Sequence, residues 1–217
     1  MKIVFALVLL TGSWATGQVN FPPKDSAQQR ANFERGKANQ ASYDESRFTR
    51  AGFEPLSKLR AKKREVKRAL FSDPYGMISL PGVEVERTSD GSVKLNVIRT
   101  VGAPTSSLLP GSVWARLNRL QGTSLDPRPY VPWDPPETNE PPPSICHGWG
   151  VLLGAGDAST TKSASWGACG GSQDAKLNLA SELARLAVST KPECTFDEQD
   201  VFWSFANCFD AQHSDQP

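Results

Sequence analysis

The chain has 217 residues, with 24 Lys or Arg against 23 Asp or Glu and a formal net charge of +1. Four Cys, 17 Gly and 17 Pro among only 38% hydrophobic residues bound it to one domain or two small ones, and past the first residues no run is long or apolar enough for a bilayer span of about 20 residues. The near-zero total hides two oppositely charged parts: residues 18–68 hold 13 Lys or Arg and 6 Asp or Glu, whereas residues 69–217 hold 10 and 17. Such parts attract each other or serve different partners.

Met1 and Lys2 form a minimal positive region before an apolar run over residues 3–10, and Ala15-Thr16-Gly17 supplies small residues where a signal peptidase cuts. Residues 1–17 read as a signal peptide cleaved between Gly17 and Gln18. The expected localisation is secreted and extracellular, with the periplasm as the alternative, and the mature chain carries no transmembrane segment.

Residues 18–71 form a polar, basic N-terminal arm. Residues 18–55 are rich in Gln, Asn, Ser and charge, and over residues 25–53 the few large apolar side chains are Phe33, Tyr43, Phe48 and Phe53. That is too little to offset the entropy of folding alone. Residues 55–71 read as a helix: Pro55 suits a first turn, Leu56, Leu59, Val66 and Leu70 share a face, and Asp73-Pro74 stops it. Its remaining surface carries the densest charge in the chain, including Arg60, Lys62, Lys63, Arg64, Lys67 and Arg68.

Residues 72–122 read as a β-hairpin plus a short helix. Apolar and polar residues alternate on both sides of Asp90-Gly91, a preferred tight-turn pair. Ser112 is placed to cap a helix over residues 113–121, with Gly122 beyond its end. Residues 123–144 hold eight prolines and read as an extended linker. Residues 145–211 read as a cysteine-containing α+β module with strands over residues 149–153 and 162–168, a helix over 172–189, and a third strand over 201–207. Residues 212–217 are a tail. The expected fold class is therefore α+β: a small disulfide-stapled C-terminal module of strands plus one helix, a β-hairpin middle region, and a largely disordered or helical cationic arm.

Cys146, Cys169, Cys194 and Cys208 lie in the last third, and an even count in an exported chain reads as two disulfides. The expected pairs are Cys146–Cys169, flanking the two strands of one hairpin, and Cys194–Cys208. The rival pairing joins Cys169 to Cys194. A zinc site would want Cys-x-x-Cys spacing, which is absent, so no metal and no cofactor are expected.

Gly154-Ala155-Gly156-Asp157 resembles the anion-hole motif of ribokinase-like sugar kinases over four residues. Leu152 and Leu153 stand where that motif carries polar residues, and the stretch reads as a Gly-rich hairpin turn. Cys146-His147 cannot form a dyad across one strand, because neighbours point to opposite faces. His213 sits in a polar tail. Trp133, Trp149, Trp166 and Trp203 read as core residues or as an aromatic binding face.

The basic block has three competing readings: a solvated helix, a processing site at Lys62-Lys63-Arg64 and Lys67-Arg68, or a binding surface for an anionic partner through residues 58–68. The expected function is an exported, non-enzymatic binding or structural protein that contacts an anionic surface, an acidic macromolecule or a protein partner. The alternatives are a secreted precursor cut at the dibasic sites to release a signalling or antimicrobial factor, and an enzyme or enzyme inhibitor with no recognisable site.

Overall fold

A computed structural model of the protein describes residues 26–73, 80–98, 104–125, 130, 132, 148–157, 159–168 and 174–209. In chain order the helices and strands are α1 (Ala27–Arg50), α2 (Leu56–Ala61), β1 (Glu65–Ser72), β2 (Gly82–Arg87), β3 (Val93–Ile98), β4 (Thr105–Leu109), α3 (Gly111–Leu125), β5 (Trp149–Gly156), β6 (Thr161–Ala168), α4 (Asn178–Val188) and α5 (Val201–Phe209). The six strands form one antiparallel sheet in the order β4-β3-β2-β1-β5-β6. The chain is thus mixed α and β, with the hairpin region and the cysteine-bearing region joined in the same sheet.

The strand that joins them is the main correction to the sequence reading. Residues 55–71 are not one helix. α2 ends after six residues, where the Arg64 N–H donates to the Leu59 carbonyl at 3.3 Å and Lys63 takes a left-handed φ of 50°. This is the closing turn that usually recruits glycine. From Glu65 the chain pairs with β2 on one side and β5 on the other. The apparent helical stripe of Leu56, Leu59, Val66 and Leu70 was a coincidence of spacing: the first pair lies on α2 and the second on one face of β1. Pairing on both edges of β1 outweighs the helix propensity of its Lys and Arg residues.

Side chains alternate across this sheet. One face carries Ala69, Phe71, Val83, Val85, Leu95, Val151 and Leu153, buried in a single apolar cluster under α3, α4 and α5. α4 contributes Leu179, Ala180, Leu183, Ala184 and Ala187 at helical spacing. α5 corrects the expected third strand. Asp200 accepts from the Trp203 N–H at 3.3 Å, which caps the helix, and Val201, Phe202, Phe205 and Phe209 then fall on a buried stripe. Among its described residues the C-terminal region therefore contains two α-helices, α4 and α5, where one was expected. α3 also runs past Gly122 to Leu125, because Ser124 is tied down: its carbonyl accepts from Trp166 Nε1 at 2.8 Å and its Oγ from the Leu179 N–H at 3.3 Å.

The other face is covered in part by α1 and α2. Residues 27–50 of the arm are helical: Ser26 caps α1 by accepting from the Gln29 N–H at 3.1 Å, and Arg47 and Arg50 lie in its last turn. Only Gln29, Asp44 and Phe48 of its 24 residues are buried. Phe48 and Phe53 pack on Leu152, while Leu56 and Leu59 pack on Val66.

Cys194 and Cys208 form a disulfide, Cα to Cα 5.6 Å, which joins the last turn of α5 to the segment after α4. Cys146 and Cys169 lie outside the described residues. So do the signal segment with Gly17 and Gln18, His147, His213, Trp133, the tail, and residues 126–129, 131 and 133–144 of the linker. Among the described residues no helix is long and apolar enough to cross a membrane.

Candidate functional site

The basic block is divided by the α2–β1 turn. Lys58, Lys62 and Lys63 are exposed. Lys62 donates to Glu54 Oε1 at 2.6 Å, and this hydrogen bond holds the Glu54 carboxyl below the usual range. Arg64 is half-buried and makes a fork with both oxygens of Glu86 while reaching Glu54 Oε2 at 3.0 Å. The bonds to Glu86 raise the Arg64 guanidinium further. The Arg60 side chain lies outside the described residues.

Lys67 and Arg68 do not face solvent, because both sit in β1 with a strand on each side. Lys67 is 5% exposed. Its Nζ lies 4.5 Å from the centre of the Trp114 ring, and the Arg87 guanidinium lies 5.1 Å from the same ring. Burial pushes the Lys67 amine down to about 8, against the opposing pull of Glu65 and Asp157.

Arg68 is 0% exposed and occupies the opposite face. Phe48 and Phe53 place their rings 5.2 and 5.1 Å from its guanidinium. Nη1 donates to the Glu54 carbonyl at 2.8 Å, and Nη2 lies 3.0 Å from Glu84 Oε2. That last contact is an ion pair rather than an aligned hydrogen bond, since both atoms lack a hydrogen-bond partner by geometry. Burial pushes the Arg68 guanidinium down and the Glu84 carboxyl up, and each charge offsets part of that effect on the other.

Two glycines make the stack around Arg68 possible. A Cβ on Gly154 would lie 2.8 Å from the Phe48 ring and 3.1 Å from Arg68 Cγ, and one on Gly82 would lie 2.2 Å from the Phe53 ring. Gly154, the first residue of the kinase-like tetrapeptide, therefore serves packing, and its backbone belongs to the sheet ladder. Asp157 caps the hairpin turn by accepting from the Ser159 and Thr160 N–H groups, both at 2.7 Å. The backbone bond from Thr160 is the chief reason its carboxyl falls to about 2.

The register extends Arg68 into a row across all six strands: Ser106, Asn96, Glu84, Arg68, Gly154 and Ser163. Ser106 Oγ donates to Asn96 Oδ1 at 2.6 Å. At the other end Ser163 Oγ donates at 2.9 Å to Asp44 Oδ2 of α1, whose Oδ1 accepts from Gln40 Nε2 at 2.7 Å. Beside Ser163 lies a cleft of about 70 Å³ between α1, Leu56 and residues 161–163 of β6.

The acids that receive the basic block went unrecognised in the sequence. The signal was present in Gly82–Arg87: Glu84 and Glu86 alternate with Val83 and Val85, so both point away from the apolar core. Among the tryptophans, Trp149 is buried and Trp203 is 50% exposed, edge-on to Trp149 at 5.7 Å. Among the described residues no group of three or more His, Cys, Asp or Glu converges as a metal site. No family model and no curated protein matches the chain.

Proposed function

We propose that this is an exported, non-enzymatic binding protein that meets a polyanionic partner through Lys58, Lys62 and Lys63. The observation that carries the reading is the division of the basic block: Arg64, Lys67 and Arg68 are turned inward, whereas these three lysines stay exposed around the turn that ends α2. The Cys194–Cys208 bridge supports an oxidising compartment. The extracellular space is the location proposed.

Immobilised heparin, a polymeric sulfate, tests the reading. The parent is expected to bind at about 0.1 M salt and to elute as the Debye length shrinks below about 10 Å. Lys58→Gln/Lys62→Gln/Lys63→Gln elutes at markedly lower salt, and Lys67→Met leaves elution unchanged. A parent that passes straight through ends the proposal.

Processing is favoured at one place. Lys62-Lys63-Arg64 forms the turn after α2, within reach of a protease, whereas Lys67-Arg68 lies in the middle of the central strand and opens only with the sheet. Intact mass of secreted material separates the readings: a fragment beginning at Glu65 supports processing, and an undivided chain supports the binding protein.

A further inference from the structure

β6 ends the sheet, and among the described residues no strand pairs with its outer side. A bare edge is a template for one more strand. α1 crosses over one face of β6, where Asp44 holds Ser163, and the two bound the cleft of about 70 Å³. Ala41, Glu45 and Phe48 fall on one helix face at spacings of four and three, Leu56 adds an apolar wall, and residues 161–163 supply the strand side. Glu45 Oε1 is buried there with no hydrogen-bond partner. Arg68 attracts it electrostatically, but its guanidinium is held between two phenyl rings and makes no hydrogen bond to Glu45. A carboxylate oxygen out of water calls for a donor.

We propose that the cleft between α1 and β6 is a peptide groove, in which an extended segment of another protein adds to the β6 edge and directs a Lys or Arg side chain to Glu45. Strand addition supplies the main-chain bonds, and the two-residue period of the guest sends alternate side chains toward α1. Ala41 and Thr161, both exposed on the cleft, flank the aliphatic stem of a lysine or arginine, and the Glu45 carboxylate receives the charged end. The exposed neighbours Thr161 and Lys162 leave the mouth open. This surface lies apart from the lysines around the α2–β1 turn and is independent of that reading.

The test uses the full mature chain and a library of blocked pentapeptides with every residue type scanned through the central position. Selection of Lys and Arg at the centre is expected, with slowed hydrogen exchange confined to β6 amides in residues 161–163. Glu45→Gln is expected to weaken the lysine peptide about tenfold, as loss of a charged hydrogen bond does, and to leave its norleucine analogue unchanged. Ala41→Trp, at an exposed helix position, fills the cleft and abolishes binding of both peptides without unfolding the chain. Binding indifferent to both substitutions overturns the proposal, as does no binding at all. β6 edge amides already protected in the free chain also overturn it, because a segment of the chain itself then fills the edge.

Discussion

The two faces of β1 are buried by opposite means. On one, Ala69 and Phe71 join a continuous apolar cluster, with Phe71 4.6 Å from the Phe205 ring centre. On the other, Val66 and Leu70 lie on either side of Arg68, and the covering helix brings little apolar surface beyond Phe48. The first face is held by area removed from water. The second is held by a few fixed points: Phe48 and Phe53 on the guanidinium, Glu84 beside it, and Asp44 on Ser163. A helix as polar as α1 can be kept on a sheet when the sheet supplies the charge for it to cover.

The largest expected effect breaks the polar face. Arg68→Met strands Glu84 without its cation and is expected to cost about 3–5 kcal/mol in chemical denaturation, while Arg68→Met/Glu84→Leu recovers most of that loss. A double variant as unstable as the single one shows that Arg68 acts through its aromatic stack instead. The apolar face is probed through its staple. Cys194→Ser opens a bridge of sequence separation 14 and is expected to cost about 3 kcal/mol, read as a lower Tm than the parent's under non-reducing conditions.

Lys67 sharpens the contrast, since it is a charge on the apolar side. Its amine is held at about 8, below the ordinary 10.5. The unfolded chain therefore binds more protons between those values, and stability rises with pH from about 8 to about 10.4. Lys67→Met is expected to remove that rise and to add about 1 kcal/mol at neutral pH after loss of the Trp114 contact. An unchanged slope places the titration elsewhere. The smallest effect is at Lys63, whose φ of 50° glycine adopts freely. Lys63→Gly is expected to stabilise by roughly 0.5 kcal/mol, the relief of the left-handed strain less the added freedom of the unfolded chain, and a clear loss would show that the lysine side chain supports the turn.

Much of the sheet was legible. Asp90-Gly91 marked the hairpin that became β2 and β3, and the short segments at residues 149–153 and 162–168, with a turn between them, marked β5 and β6. β1 was hidden because a central strand with both faces covered lacks simple alternation, and its Lys67 and Arg68 read as solvated when each has an internal partner. α5 was hidden because a short stretch of Phe, Trp and Val fits either period, and Asp200 as a cap was the missed arbiter. For the candidate site, the basic block was visible but its direction was not. That depends on Glu84 and Glu86, whose pairing with β1 only the register shows.

The position of β1 has a further consequence, in time rather than in energy. Its partner β2 follows within the next few residues, whereas β5 begins only at Trp149. In any state where residues 149–156 are not yet docked, β1 is an outermost strand with a bare row of amides and carbonyls. Lys67 and Arg68 then stand on an open edge, where charged side chains discourage pairing with other chains. The same two residues guard the incomplete sheet, so Lys67→Met, expected to be no less stable once folded, is expected to be more prone to associate on the way there.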